Sequence, residues 1–308
     1  MRDLTTVFVE ACQNAAIACH PWIGKGNKEA ADAAAVEAMR AVFNASDMDG
    51  RIVIGEGERD EAPMLFIGEN VGTAANPAMA IDIAVDPLEG TTLCAEDRPG
   101  AICVAAFAPR GELLYAPDVY MKKIAVGPGC TLELHDLDAD IVAVAARVAT
   151  QLGKSMTDLK VCLLQRPRHQ AMIDALSAAG VGVSLITDGD VVGALRTALG
   201  DDHPASVDLY VGTGGAPEGV LAATGLSALG GQMLGQLQFK DSAQRQRAQD
   251  MGLADPDQVF TAHQLAGQNG ILVATGVTSG ELLSGVVVDG STVTTQSMVV
   301  SQDGIQLI

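Results

Sequence analysis

A chain of 308 residues is long enough for two ordinary domains or one large α/β body. Apolar residues make up 48% but aromatic ones only 3%, so Ala, Val, Leu, Ile and Gly must fill the core, which suits close packing of helices on sheets. The formal net charge of −19 argues against nucleic acid as the main partner, because phosphate backbones are held by clustered Lys and Arg; an anionic small substrate stays possible, since a metal or a few arginines can reverse the potential inside a cleft.

The opening "MRDLTTVFVEACQNAAIACH" reads as an amphipathic helix over 4–19, with Asp3 and Glu10 placed where a secretory leader would be apolar. A second helix is expected over 28–43, Ala-rich, with Val36, Met39 and Val42 or Phe43 near one face. Strands are expected at 51–55, 78–85, 101–108 and 123–127, so the first half reads as two helices followed by a sheet with irregular connections. From about residue 138 the rhythm changes. Helices over 138–153, 168–179, 190–199 and 217–228 alternate with strands at 161–165, 182–187 and 207–212, which predicts right-handed crossovers and a parallel sheet. A strand at 271–277 follows, and Asp-Gly pairs at 289–290 and 303–304 predict two β-hairpins. A domain boundary is placed in the polar stretch around 135–155, dividing the chain into 1–145 and 146–308. No apolar run approaches a membrane span. Six scattered cysteines, with no CxxC pair and no leader, read as reduced core thiols of a cytoplasmic protein.

The chemistry concentrates at strand ends. In "AIDIAVDPLEGTTL" (80–93) a buried run ends in Asp86-Pro87-Leu88-Glu89-Gly90-Thr91. If the strand stops at Val85 and Pro87 opens a helical turn, Asp86 and Glu89 face one point. They then fit either a helix cap with its capping-box partner or two hard oxygen ligands for Mg2+ or Mn2+. Gly90 lets a ligand approach the backbone, and Thr91 adds a hydroxyl. "GEGERDEAP" (55–63) puts four acids into six positions, Glu56 to Glu61; it is either a solvated acidic loop or a tight turn presenting Glu56. Asp32 lies inside the second helix, where a surface position is the plain alternative. "VGTGGAPEGV" (211–220) is a glycine-rich junction with Pro217 and Glu218 at a helix start, where an acid is also favoured by the dipole alone. "RPRH" (166–169) and "TDGD" (187–190) end two more strands, and open α/β sheets bind ligands outside the carboxyl ends of their strands.

Together "ADAAAVEAMR", "IVIGEGERDEAPML", "AIDIAVDPLEGTTL", "RPRH", "TDGD" and "GGAPEGV" resemble the class II, GlpX-type fructose-1,6-bisphosphatases of the lithium-sensitive, metal-dependent sugar and inositol phosphatase superfamily. The resemblance spans nearly the whole chain. It implies an α/β fold of the layered αβαβα sandwich type, two sheets with helices between and outside, and hydrolysis of the 1-phosphate of fructose 1,6-bisphosphate with Mg2+ or Mn2+. It implies Asp32 and Glu56 as ligands of one ion and Asp86, Glu89 and Glu218 as ligands of another, so that 1–145 carries most metal ligands and 146–308 the sugar-phosphate contacts. Glu89, Gly90 and Thr91 resemble the segment that meets the scissile phosphate. Tyr120, Arg166, Pro167, Arg168, Asp188, Gly189, Asp190 and Gly215 match substrate contacts, and Lys28 and Asp60 charged positions near the chemistry. A homo-oligomer, dimer or tetramer, is implied as well, with no nucleic-acid or membrane partner. Two rivals accompany this reading: an enzyme that also cleaves sedoheptulose 1,7-bisphosphate, and a non-catalytic sugar-phosphate sensor. The chain departs from the family at Asn27, where Asp is usual, and in a C-terminal "SMVVSQDGIQLI" without the usual basic residues.

Overall fold

The computed structural model describes residues 3–56, 64–73 and 80–308. Its contacts group into two compact units, Met1–Pro117 with Asn269–Ile308, and Asp118–Gln268. The sequence places its single division at 145/146; the chain instead leaves the first unit at residue 117 and returns to it at 269.

The first unit opens with α1 (Leu4–Cys19) and α2 (Lys28–Asn44), which pack on each other. Its sheet contains β1 (Asp49–Ile54), β2 (Asn70–Val71), β3 (Ala80–Glu89), β4 (Ile102–Pro109), β11 (Ile271–Gly276), β14 (Ser297–Ser301) and β15 (Gly304–Leu307). Their order is β15-β14-β11-β4-β3-β1-β2, with β1 and β3 parallel and every other neighbour antiparallel. Alternation puts Ile81, Ile83 and Val85 of β3 into one apolar cluster with Cys103, Ala105 and Phe107 of β4 and the inner faces of α1 and α2. Phe8 anchors that layer, its ring 5.0 Å from Phe43 and 4.3 Å from Phe107. Asp82, which interrupts the apolar run of β3, points to the opposite face. Its buried carboxylate takes Arg51 Nε at 3.0 Å, Arg110 Nε at 3.3 Å and the Gly111 N–H at 2.6 Å, so the charge is paired rather than catalytic.

The second unit is a three-layer body. Its sheet runs β10-β9-β5-β8-β6-β7, built from β5 (Tyr120–Val126), β6 (Lys160–Leu164), β7 (Gly182–Ile186), β8 (Leu209–Gly215), β9 (Gln232–Gln238) and β10 (Phe260–Thr261). Val144, Val148 and Leu176 of α4 (Ile141–Leu152) and α5 (Gln170–Ala178) cover one face, over Ile124, Val161, Leu163 and Leu209. On the other side of the strands lie α6 (Asp190–Leu195), α7 (Ala216–Ala228) and α9 (Ala262–Ala266), packed against one another and the sheet. A polar helix, α8 (Ser242–Asp250), buries only Ala248. Each unit is thus α/β by itself: helices on a seven-stranded sheet in the first, and helices on both faces of a six-stranded sheet in the second.

The strand–helix alternation predicts a parallel sheet, but only β7-β6-β8 is parallel. β5 inserts between β8 and β9, antiparallel to both, and it comes from before the alternating region. Both expected hairpins form, one as β12 (Val287–Asp289) with β13 (Thr292–Thr294), the other as β14 with β15; Gly290 and Gly304 take φ of +60° and +103°. No helix among the described residues is long and apolar enough to cross a membrane.

All six cysteines are buried free thiols. Burial pushes the Cys94 thiol up to about 12 and raises Cys12, Cys103 and Cys130 as well. Native protein at neutral pH is therefore expected to resist iodoacetamide, with all six sites labelling only after denaturation, and a reductant is expected to leave the melting temperature unchanged. Mass spectrometry and a melt with reductant check this; a reductant that unfolds the protein would mean a structural disulfide.

Candidate active site

The end of β3 is irregular. Asp86 pairs with Val104 but Glu89 with Ile102, so three steps along β3 match two along β4. In a regular strand residues three apart point to opposite faces; the extra residue of a bulge restores them to one side. Pro87, with no N–H to give to the ladder, sits inside this bulge. Asp86 and Glu89 accordingly each offer a carboxylate oxygen within 4.8 Å of the other. The helix-cap alternative is thereby corrected. The strand runs to Glu89 and not Val85, and the residue capping α3 (Thr91–Ala95) is Gly90, at φ +87°. Asp86 Oδ1 instead accepts the N–H of Leu88 at 3.2 Å within the bulge. Gly90 requires its glycine because the φ is left-handed; a Cβ would also sit 3.0 Å from Leu93 Cδ1, a tight contact.

Asp32 is not a surface position. It lies half-buried in the second turn of α2 with its carboxyl in hydrogen-bond contact with Glu56, which follows β1. Burial raises the Asp32 pKa, and the Glu56 contact pulls the other way. Two carboxyls held against each other must share a proton or a cation, and hard oxygen donors of this kind fit Mg2+ or Mn2+. Lys28, first in α2, reaches across to α3, donating from Nζ to Thr92 Oγ1 at 2.7 Å. The loop before α2 is tied to the same helix by the N–H groups of Gly24 and Gly26, which bond Cys94 O and Ala95 O at 3.0 and 2.8 Å. Thr91 opens α3, half-buried. Asp60 lies outside the described residues.

Asn27 is the N-cap of α2, its Oδ1 accepting the Ala30 N–H at 3.0 Å. Asp and Asn cap helices about equally well, so Asn at this position supplies the cap as an Asp would. Asn27→Ala is expected to cost about 1 kcal/mol in thermal or urea unfolding, and Asn27→Asp to cost almost nothing.

In the second unit the sugar-phosphate candidates gather at the ends of β6, β7 and β8. Arg166 donates from Nη2 to Asp188 Oδ1 at 2.7 Å. Pro167 starts the short helical turn Pro167–His169. Arg168 gives two N–H groups to the carbonyl of Thr213, at 3.0 Å from Nε and 2.5 Å from Nη2, and its guanidinium lies 5.3 Å from the centre of the exposed Tyr120 ring. Lys240 Nζ is 5.7 Å from the same centre. Gly189 holds φ +87° between Asp188 and Asp190. The carboxylate of Asp190 is turned inward and buried, with Lys123 Nζ 2.5 Å from Oδ2. The glycine-rich junction is also more regular than its composition predicts: β8 extends through Gly212, Gly214 and Gly215. Gly215 is the last residue of the strand, and a Cβ there would meet Glu218 Oε2 at 2.0 Å, so the bare position leaves room for that carboxylate. Glu218 itself sits in the first turn of α7, behind Pro217.

Residues 2–307 match the family model described as "Bacterial fructose-1,6-bisphosphatase, glpX-encoded". The chain belongs to this family. It is 41% identical to the D-fructose 1,6-bisphosphatase class 2/sedoheptulose 1,7-bisphosphatase of Nostoc sp. (strain PCC 7120), over 96% of this chain and 91% of the relative. It is likewise 41% identical to fructose-1,6-bisphosphatase 1 class 2 of Escherichia coli (strain K12), over 97% and 91%.

Within this GlpX-type chain, sequence reasoning missed four polar residues that hold the candidates in place. Thr92 receives Lys28. His169 is buried; its Nδ1 lies 2.8 Å from Leu164 O while Nε2 accepts the Thr213 N–H at 2.9 Å, so the ring is neutral with its proton on Nδ1. Burial lowers its pKa accordingly. Lys123 and Tyr210 meet Asp190. Lys123 alone left a signal, as a charge at an inward position of an apolar strand; His169 closes the "RPRH" motif but had no role attached.

Proposed function

We propose that the chain hydrolyses the 1-phosphate of fructose 1,6-bisphosphate to give fructose 6-phosphate and phosphate, using Mg2+ or Mn2+. The observation that carries this reading is the bulged end of β3, which turns Asp86 and Glu89 to one side just before Gly90 and Thr91. Asp32 and Glu56 hold one ion; Asp86, Glu89 and Glu218 hold another. Bound ions offset charge on the phosphate oxygens and make water a better nucleophile.

The chain's own residues do the rest by positioning and proton transfer. Gly90, with no side chain, lets the scissile phosphate meet the backbone beside Glu89 and Thr91. The Thr91 hydroxyl takes the proton of the attacking water as its own passes to Asp60. Lys28, through Thr92, fixes α3 and therefore Thr91. Arg166 and Arg168 grip the phosphate that is not cleaved, a task suited to planar, bidentate guanidinium groups, with Tyr120 beneath Arg168. Pro167, Asp188, Gly189, Asp190 and Gly215 shape that pocket. The buried reduced thiols suit a cytoplasmic protein, and we assign it two or four copies per assembly, which light scattering measures. The Nostoc relative's name carries both sugars, so sedoheptulose 1,7-bisphosphate is a second substrate to assay. A sensor without catalysis would be favoured by a missing carboxylate, and all five are present.

Phosphate release should require added Mg2+ or Mn2+, stop on chelation and be inhibited by lithium; full turnover after exhaustive chelation would defeat the proposal. The pH dependence has a fixed sign. Asp32 holds its proton above the usual carboxylate range, so its contribution to metal-free stability is full in acid and is lost as pH rises through the raised pKa. A metal replaces that proton, so the gain in melting temperature on adding Mn2+ should grow from the acid range to neutrality. A gain that shrinks with rising pH would contradict the Asp32 assignment.

A further inference from the structure

Lys123 is a buried charge of the second unit that the proposed chemistry leaves without a task. It lies in β5 between Met121 and Ala125, 1% exposed. Its ammonium makes two bonds to two different segments: Asp190 Oδ2 at 2.5 Å and the carbonyl of Gly215 at 2.7 Å. Asp190 is the first residue of α6, directly after Asp188-Gly189. Gly215 precedes α7, whose first turn carries Glu218. Tyr210 of β8 adds its hydroxyl to Asp190 Oδ2 at 3.3 Å, while Asp190 Oδ1 is buried and makes no hydrogen bond among the described residues. The Asp190 charge is therefore met chiefly by this one ammonium.

The backbone has been cleared to admit the pair. A Cβ on Gly214 would come within 2.1 Å of Asp190 Oδ2 and 3.2 Å of Lys123 Nζ. One on Gly219 would meet Met121 Sδ at 2.5 Å and Lys123 Cδ at 3.3 Å. Of these glycines of "GTGGAPEG", Gly214 makes room for the buried ion pair, and Gly219 for Met121 and the Lys123 stem.

We propose that Lys123 is a positioning residue that braces the Asp188–Asp190 turn and the Gly214–Glu218 segment together, so that sugar-phosphate binding and the Glu218 carboxylate depend on one buried ammonium. This rests on the roles given above to Glu218 and to the Asp188–Asp190 turn. Removing one partner of a buried pair leaves an unpaired charge and can unfold a protein, whereas neutralising both is often tolerated. The variants are therefore Lys123→Met and the neutral pair Lys123→Met/Asp190→Asn.

The readouts are circular dichroism, kcat and KM on fructose 1,6-bisphosphate, the Mn2+ concentration for half-activation, and amide hydrogen exchange over residues 187–191 and 213–219. In the folded double variant kcat should fall and KM rise, each about tenfold or more, since small misplacements far from the chemistry have effects of that size. The Mn2+ requirement should rise with them, and exchange should quicken in both segments. Wild-type kinetics in a folded variant would overturn the proposal. So would a raised KM with kcat and Mn2+ requirement unchanged, the result expected if Asp190 merely touched substrate. If the parent protein proves inactive on the bisphosphate, the functional reading fails instead, and exchange confined to one segment would still refute the brace.

Discussion

Glu89→Gln is expected to leave a folded protein with turnover reduced about a hundredfold to a thousandfold, the range seen when a single group that stabilises transition-state charge is lost. Glu89 is buried at the end of β3, and glutamine has its shape, so no cavity opens and the core cluster is untouched. What is lost is the charge. A neutral amide would hold a divalent ion poorly, and an ion held there would stabilise the charge that develops on phosphate in the transition state, so the loss should fall on kcat more than on KM. Glu218→Gln, in the first turn of α7, should do the same for the same reason. Steady-state phosphate release with circular dichroism on each variant decides it. Near-normal turnover in folded Glu89→Gln would remove Glu89 from the metal set.

Arg168→Ala should behave differently. The guanidinium is exposed, braced by the Thr213 carbonyl and the Tyr120 ring, and half of its fork is committed to that carbonyl. The bracing holds the remaining N–H groups ready for a phosphate, before and during reaction alike. An interaction made equally in ground and transition states shows in KM. A charged hydrogen-bonded contact of this kind contributes about 1.5–3 kcal/mol, so KM for the bisphosphate should rise about tenfold to a hundredfold. A monophosphate, lacking a second phosphate to grip, should be cleaved almost as before. The measurement is kcat and KM for the bisphosphate and its monophosphate; an intact bisphosphate preference would mean that the distal phosphate sits elsewhere. His169 belongs to the same support, since its Nε2 fixes the Thr213 backbone from the other side.

The chemistry of the site was more legible than its geometry. Residue types at strand ends are written directly in sequence, so Asp86, Glu89 and Gly90 were found as a group. Their backbone was not, because a bulge depends on the register with β4, and register is a property of two strands. Reading Pro87 as the start of a helix was reasonable locally and wrong because the ladder continues past it. Asp32 shows the same limit. Its helix was placed within a residue, yet its contact with Glu56 lies across the fold and leaves no local trace.

The second sheet was misjudged for a related reason. Alternating strands and helices do describe β6, β7 and β8, but β5 arrives from earlier in the chain and antiparallel. Nothing in the Gln-rich "QMLGQLQ" marks β9 as a strand except its partner. The return of β11, β14 and β15 to the first sheet is equally non-local, which is why a single cut in the sequence could not reproduce two units joined by two crossings.

The most direct test is to follow the reaction by phosphorus NMR, with fructose 1,6-bisphosphate and Mg2+, or with Mn2+ in samples stopped at intervals and freed of the paramagnetic ion on a chelating resin before each spectrum. The resonance of the 1-phosphate should disappear as inorganic phosphate grows, the 6-phosphate signal should persist as fructose 6-phosphate, and chelation should freeze both. Loss of the 6-phosphate first, or no inorganic phosphate at all with either ion, would contradict the assignment of this chain as a bisphosphatase acting at the 1-position.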